Sequence, residues 1–141
     1  MKLTITMLYI ALLTACGDGR AVSVNGSSSK DTTIIGTWSF TYPAVQCTET
    51  YVFKFDKRWS ATSLDAQFGG TYEFSNQSNT SDREKLSLTW TSDNQQSDCE
   101  GDMDSKVGQI TDLYVTFVSS TIMEWYSQPS GGSVEVTLNK Q

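Results

Sequence analysis

The chain of 141 residues is 38% hydrophobic and 11% aromatic, and its ten basic and sixteen acidic side chains give a formal charge of −6. That length suits one globular domain, and an acidic balance without clustered Lys or Arg argues against nucleic acid as a partner. Histidine is absent, which removes the commonest general base, the usual zinc ligand and every Ser-His or Cys-His arrangement.

Residues 1–15 start with Met1 and Lys2, run through an apolar stretch broken by scattered threonines, and end on Ala15. A basic start, an apolar run too short to span a bilayer and a small residue at the break describe a secretory signal peptide. At its end, Leu13-Thr14-Ala15-Cys16 resembles the bacterial lipobox. The resemblance implies cleavage before Cys16, a diacylglycerol on its sulfur, acylation of its new amino group, and a bacterial cell-envelope lipoprotein held on the membrane by acyl chains. Gly17 stands where enteric lipoproteins retained at the inner membrane carry Asp, so outer-membrane sorting is favoured if the host is Gram-negative, although Asp18 follows one place later. Loss of residues 1–15 removes Lys2, leaving nine basic against sixteen acidic residues, a net −7.

Residues 16–33 hold the lipidated Cys16 and then glycines, serines and few large apolar groups. They read as a flexible tether with a root-mean-square reach of roughly 20 to 25 Å.

From residue 34 the pattern has period two. Ile34, Gly36, Trp38, Phe40 and Tyr42 share one face of the first strand, and Tyr51, Phe53 and Phe55 one face of the second. Trp59 with Ala61, Tyr72 with Phe74, and Leu86, Leu88 and Trp90 mark the third to fifth. Leu113, Val115 and Phe117, then Met123 and Trp125, then Val134, Val136 and Leu138 mark the last three. Eight half-buried strands follow, joined by turn-rich links at 56–57, 67–70, 76–82, 119–120 and 128–132. Short consecutive links favour antiparallel neighbours, and closing the sheet removes its edges. The predicted fold is all-β: an eight-stranded antiparallel up-and-down β-barrel over residues 34–141.

Gly36-Thr37-Trp38 resembles the Gly-x-Trp signature of the lipocalins and of bacterial lipocalin-like (calycin-type) domains. YVFKFDKRWS, a later GTYEF and a final strand ending at Lys140 recur in the order of that family. The resemblance implies Trp38 at the base of the barrel with a basic side chain, here Lys140, packed across it, and a small apolar ligand in the interior. The domain is shorter than a typical lipocalin and lacks its C-terminal helix.

In an up-and-down barrel the links 1-2, 3-4, 5-6 and 7-8 share one mouth. Cys47 and Cys99 fall in the first and third of these, so they share an end and are predicted to pair, with two free thiols as the alternative. A loop of that length would contribute about 4 kcal/mol by chain entropy. Strand 1 starts at the opposite end, so the tether leaves the closed end and the mouth faces away from the membrane.

Of the inward aromatics, which also include Phe55, those nearest the mouth are candidate ligand contacts: Tyr42, Phe68 and Trp90, with Met103. Outward Tyr114 and Tyr126 are candidates for a protein interface. Asp98, Glu100, Asp102 and Asp104 alternate along 97–105 and supply hard oxygen ligands for calcium, but without EF-hand spacing the segment reads as an acidic solvated loop. Asp65 with Glu73, or Asp102 with Asp104, are the available carboxylate pairs, and nothing in their sequence context separates an acid from a base. The sequence therefore implies a non-enzyme with no cofactor. Its expected partners are a membrane, through the lipid anchor, and either a small apolar or amphipathic ligand or a protein docked on the mouth loops.

Overall fold

The computed structural model describes residues 33–75 and 83–141. Cys16, the signal segment, most of the tether and the 76–82 link lie outside these residues. Eight strands run in chain order: β1 Gly36–Tyr42, β2 Cys47–Phe53, β3 Arg58–Ser63, β4 Ala66–Ser75, β5 Glu84–Asp93, β6 Ile110–Phe117, β7 Ile122–Tyr126 and β8 Val136–Lys140. Each pairs antiparallel with its chain neighbour, and β1 pairs with β8 to close the barrel.

The predicted alternation fills the inside. Trp38, Phe53, Tyr72, Leu86, Leu88, Val115, Met123 and Leu138 are sealed from solvent, and their rings meet edge-on or tilted, as Phe53 does with Tyr72 at 5.2 Å. The closing seam is short, with Trp38 opposite Lys140 and Ser39 opposite Asn139. The Gln141 N–H extends it by donating to the Thr37 carbonyl at 2.9 Å.

The base of the barrel is built around Trp38. Its indole N–H donates to the Ile34 carbonyl at 2.8 Å, and the Lys140 ammonium lies 5.2 Å from its ring centre. Gly36 has a φ of 132°, and a Cβ there would sit 2.8 Å from Lys140 Cε. Glycine at this position makes room for the lysine stem to cross the tryptophan.

Four expectations need correction. Residues 67–70 are strand, not turn: the β3–β4 link is Leu64 and Asp65, with Leu64 in the left-handed region at φ 54°. The two glycines serve close approach instead. A Cβ on Gly70 would lie 1.8 Å from the Thr89 carbonyl oxygen, and the β4–β5 register shifts between Gly69 and Gly70. Phe55 is not inward. β2 ends at Phe53 and the chain turns through 54–57, leaving Phe55 87% exposed. Val134 precedes β8 and is exposed. Tyr126 is buried, because the Arg83 guanidinium lies 3.3 Å from its ring centre while donating to the Gln128 and Gly131 carbonyls.

Candidate functional site

The mouth is bounded by loops 43–46, 64–65, 94–109 and 127–135, and the opposite end by 54–57 and 118–121 among the described residues. Cys47 opens β2 and is bonded to Cys99 in the long 94–109 loop, with their Cα atoms 5.6 Å apart. The bridge pins that loop to the barrel wall.

Inside this clip lies a polar network. Glu49 faces inward between Phe40 and Ser63 in the register, and is buried. It accepts from Ser63 Oγ at 2.5 Å and from the Tyr51 hydroxyl at 2.7 Å. Ser63 Oγ in turn accepts the Cys99 N–H at 2.9 Å. These hydroxyls supply the hydrogen bonds that a buried carboxylate requires. Glu49 was not among the expected site residues, although it shares parity with Tyr51 and Phe53. Period two placed it inside, but a carboxylate is not counted toward an apolar face.

The network shapes the electrostatics of the mouth. Burial, reinforced by Glu49, Glu100 and Asp98, pushes the Tyr42 phenol up to about 12. Burial and then Glu49 raise the Tyr51 phenol well above its ordinary value. Both rings stay neutral at physiological pH, and the Tyr51 hydroxyl donates to Glu49.

Two aromatic groups flank the network. Phe68 meets Trp90 at 5.2 Å between ring centres, and Trp90 meets Trp59 at 4.8 Å. Across the barrel, Tyr42 packs edge-on against Phe40 at 4.3 Å. Phe40, Tyr42, Phe68 and Trp90 are inward yet only half-buried. The Trp90 indole N–H donates to Thr111 Oγ1 at 2.9 Å. Trp125 closes the space below against Tyr51, at 4.8 Å, and its buried indole N–H has no acceptor among the described residues.

The structure thus brings Phe68 and Trp90 together and places Tyr42 by Phe40, while Met103 is 62% exposed on the loop outside. Met103 belongs to an exposed apolar rim with Val45, Leu64, Val107 and Val134 from the four mouth loops and Ile110 at the start of β6.

The acidic segment does not converge on a cation. Asp98 is buried and turns inward on the backbone, its Oδ1 accepting the N–H groups of Glu100 and Asp102 at 2.9 Å each. Asp102 pairs with Lys106 at 2.6 Å, and Glu100 and Asp104 are exposed. Among the described residues no group of three or more His, Cys, Asp or Glu side chains is placed to hold a metal ion. Of the carboxylate pairs considered for catalysis, Asp65 is on the 64–65 turn and Glu73 far along β4, while Asp102 accepts the Asp104 N–H at 2.8 Å.

An open recess of about 490 Å³ lies at the opposite end, lined by Lys57, Thr71, Tyr72, Glu73, Phe74 and Ser75. None of the expected ligand contacts lies in it.

The fold and the mouth define the class: a closed eight-stranded up-and-down barrel with a disulfide-clipped, aromatic and acidic opening. No protein-family model, curated protein or solved structure matches the chain. The closed eight-stranded antiparallel barrel is consistent with a lipocalin-like fold.

Proposed function

We propose that this protein is a lipid-anchored bacterial envelope protein whose barrel mouth binds a small amphipathic ligand. The observation that carries the reading is the half-buried inward quartet of Phe40, Tyr42, Phe68 and Trp90 above the Glu49, Tyr51 and Ser63 network. Aromatic faces left accessible over buried polar groups suit a molecule with an apolar body and a hydrogen-bonding head. The filled interior below confines it to the mouth.

Native mass spectrometry and organic extraction of protein purified from its own host test this. A bound species that is lost in Phe68→Ser supports it. A bare chain, together with tryptophan emission that neutral apolar probes leave unchanged, rejects it.

A second reading has its own observation. The exposed rim of Val45, Leu64, Met103, Val107, Ile110 and Val134 suits a protein partner docking across the mouth. Crosslinking in the host envelope separates the two: a specific protein adduct at Met103 with no extractable ligand favours docking.

A further inference from the structure

We propose that the β2–β3 hairpin tip, residues 54–58, is a second membrane contact that seats the base of the barrel on an anionic phospholipid surface. The inference rests on the lipid-anchor reading for its orientation, but its residues supply an attraction of their own.

The tip reads Lys54-Phe55-Asp56-Lys57-Arg58. Phe55 is 87% exposed, the most exposed large hydrophobic residue described, and it projects from a tip held rigidly by hydrogen bonds. The Lys54 N–H donates to the Arg58 carbonyl at 2.9 Å, the Lys57 N–H to the Lys54 carbonyl at 3.2 Å, and the Tyr72 hydroxyl to that same carbonyl at 2.8 Å. Arg58 engages Asp56 at 2.6 Å. That pair cancels one charge of each sign and leaves Lys54 and Lys57 for an external anion. Lys57 lies over the Tyr72 ring at 5.2 Å, which holds its ammonium beside the tip.

Position supports the same occupant. The hairpin lies at the end where β1 begins, so it shares that end with the chain entering from the tether. On the lipid-anchor reading, this is the end that faces the membrane.

Charge is uneven along the barrel axis. At the base Lys54 and Lys57 flank Phe55, Arg58 is paired with Asp56 and Lys85 with Asp112, and Glu73 and Glu84 lie toward the same end. Asp65, Asp98, Glu100, Asp102, Asp104 and Glu135 surround the mouth, where Lys106 pairs with Asp102 and Arg83 reaches the 127–135 loop. An anionic surface therefore repels the mouth more than the base, and its attraction at the base comes from the two lysines of the hairpin tip. An exposed aromatic ring between lysines matches an interfacial anchor, in which the ring enters the headgroup boundary and the cations meet phosphates.

The test uses the full lipidated chain reconstituted in phosphatidylcholine vesicles with or without phosphatidylglycerol. In Phe55→Trp, a bromine-labelled lipid is expected to quench a new emission component in the phosphatidylglycerol vesicles. The native tryptophans, enclosed by the barrel, are expected to show no such quenching. Replacing Lys54 and Lys57 by Gln in that background should weaken the contact by roughly fivefold for each cation. Flotation of the wild-type chain reports the anchor separately. If the protein floats but Phe55→Trp is quenched no more than wild type, or equally in neutral vesicles, the hairpin contact is overturned. If the chain carries no lipid and does not float with neutral vesicles, the anchor reading fails. The hairpin must then still give quenching when excess phosphatidylglycerol vesicles are added, and is overturned if it does not.

Discussion

Gly70 is where the fold and the mouth depend on a single missing methyl group. A Cβ there would lie 1.8 Å from the Thr89 carbonyl oxygen, 2.9 Å from the carbon of that carbonyl and 3.0 Å from Trp59 Nε1. Two of these atoms are backbone of the paired strand, so no side-chain rotation relieves the clash. Either β4 or β5 must move by more than an ångström to reach an ordinary contact distance. That movement breaks the register that sets Gly70 opposite Trp90 and places Phe68 against the Trp90 ring. Overpacking of this kind costs about 3 kcal/mol, which in a domain of this size lowers the melting temperature by roughly 10 to 20 °C. Gly69→Ala is the internal comparison, because its nearest neighbour is the movable Ser92 hydroxyl at 2.9 Å. Urea unfolding followed by tryptophan emission, with the disulfide intact, gives both values. If Gly70→Ala costs no more than Gly69→Ala, the close-approach argument is wrong.

Other consequences can be measured on the same protein. Gly36→Ala should destabilise by about 1 to 2 kcal/mol through its left-handed backbone and displacement of Lys140. In a double-mutant cycle the cost should shrink once Lys140 is trimmed to Ala, and strict additivity would contradict the contact. Replacing both Cys47 and Cys99 by Ser should lower stability by about 2 to 4 kcal/mol, read as a shift in the urea midpoint. A shift below half a kcal/mol would show that the clip is dispensable. Tyr42 makes a prediction with a definite sign. Its folded pKa of about 12 lies above the ordinary 10.0 of the unfolded chain, so at alkaline pH the folded state holds its proton longer. Its contribution is fully present below pH 10 and is lost as pH rises toward 12. Phenolate absorbance should show late-titrating tyrosines, one fewer in Tyr42→Phe, and Glu49→Gln should bring the Tyr42 titration to lower pH.

Much of the architecture was legible because period two persists over eight segments and each strand has a face too apolar for solvent. Trp38, Leu88, Val115 and Leu138 are inside for that reason. Parity also placed both cysteines at one end, where they are bonded. Turn chemistry misled at Phe68-Gly69-Gly70, since glycines that mark turns also mark strands pressed together. Phe55 kept the period of Tyr51 and Phe53, but the chain turned before the period could apply. The polar floor of the mouth was hidden for a different reason. Glu49 and Ser63 are inward by parity but hydrophilic by type, and only the hydrogen bonds linking them to Tyr51 and the Cys99 backbone explain how they tolerate burial. Tyr126 was obscured because its cover comes from Arg83, far away in sequence.

The central claim is that binding takes place at the clipped mouth. Nuclear magnetic resonance mapping of the isotope-labelled protein tests it most directly, with the molecule recovered from the host or the neutral probe N-phenyl-naphthylamine as titrant. The account predicts shifts concentrated on Phe40, Tyr42, Phe68 and the Trp90 indole, with smaller shifts at Tyr51 and Ser63. Shifts confined to Lys57, Thr71, Tyr72 and Phe74 around the opposite recess, or the absence of any, would contradict it.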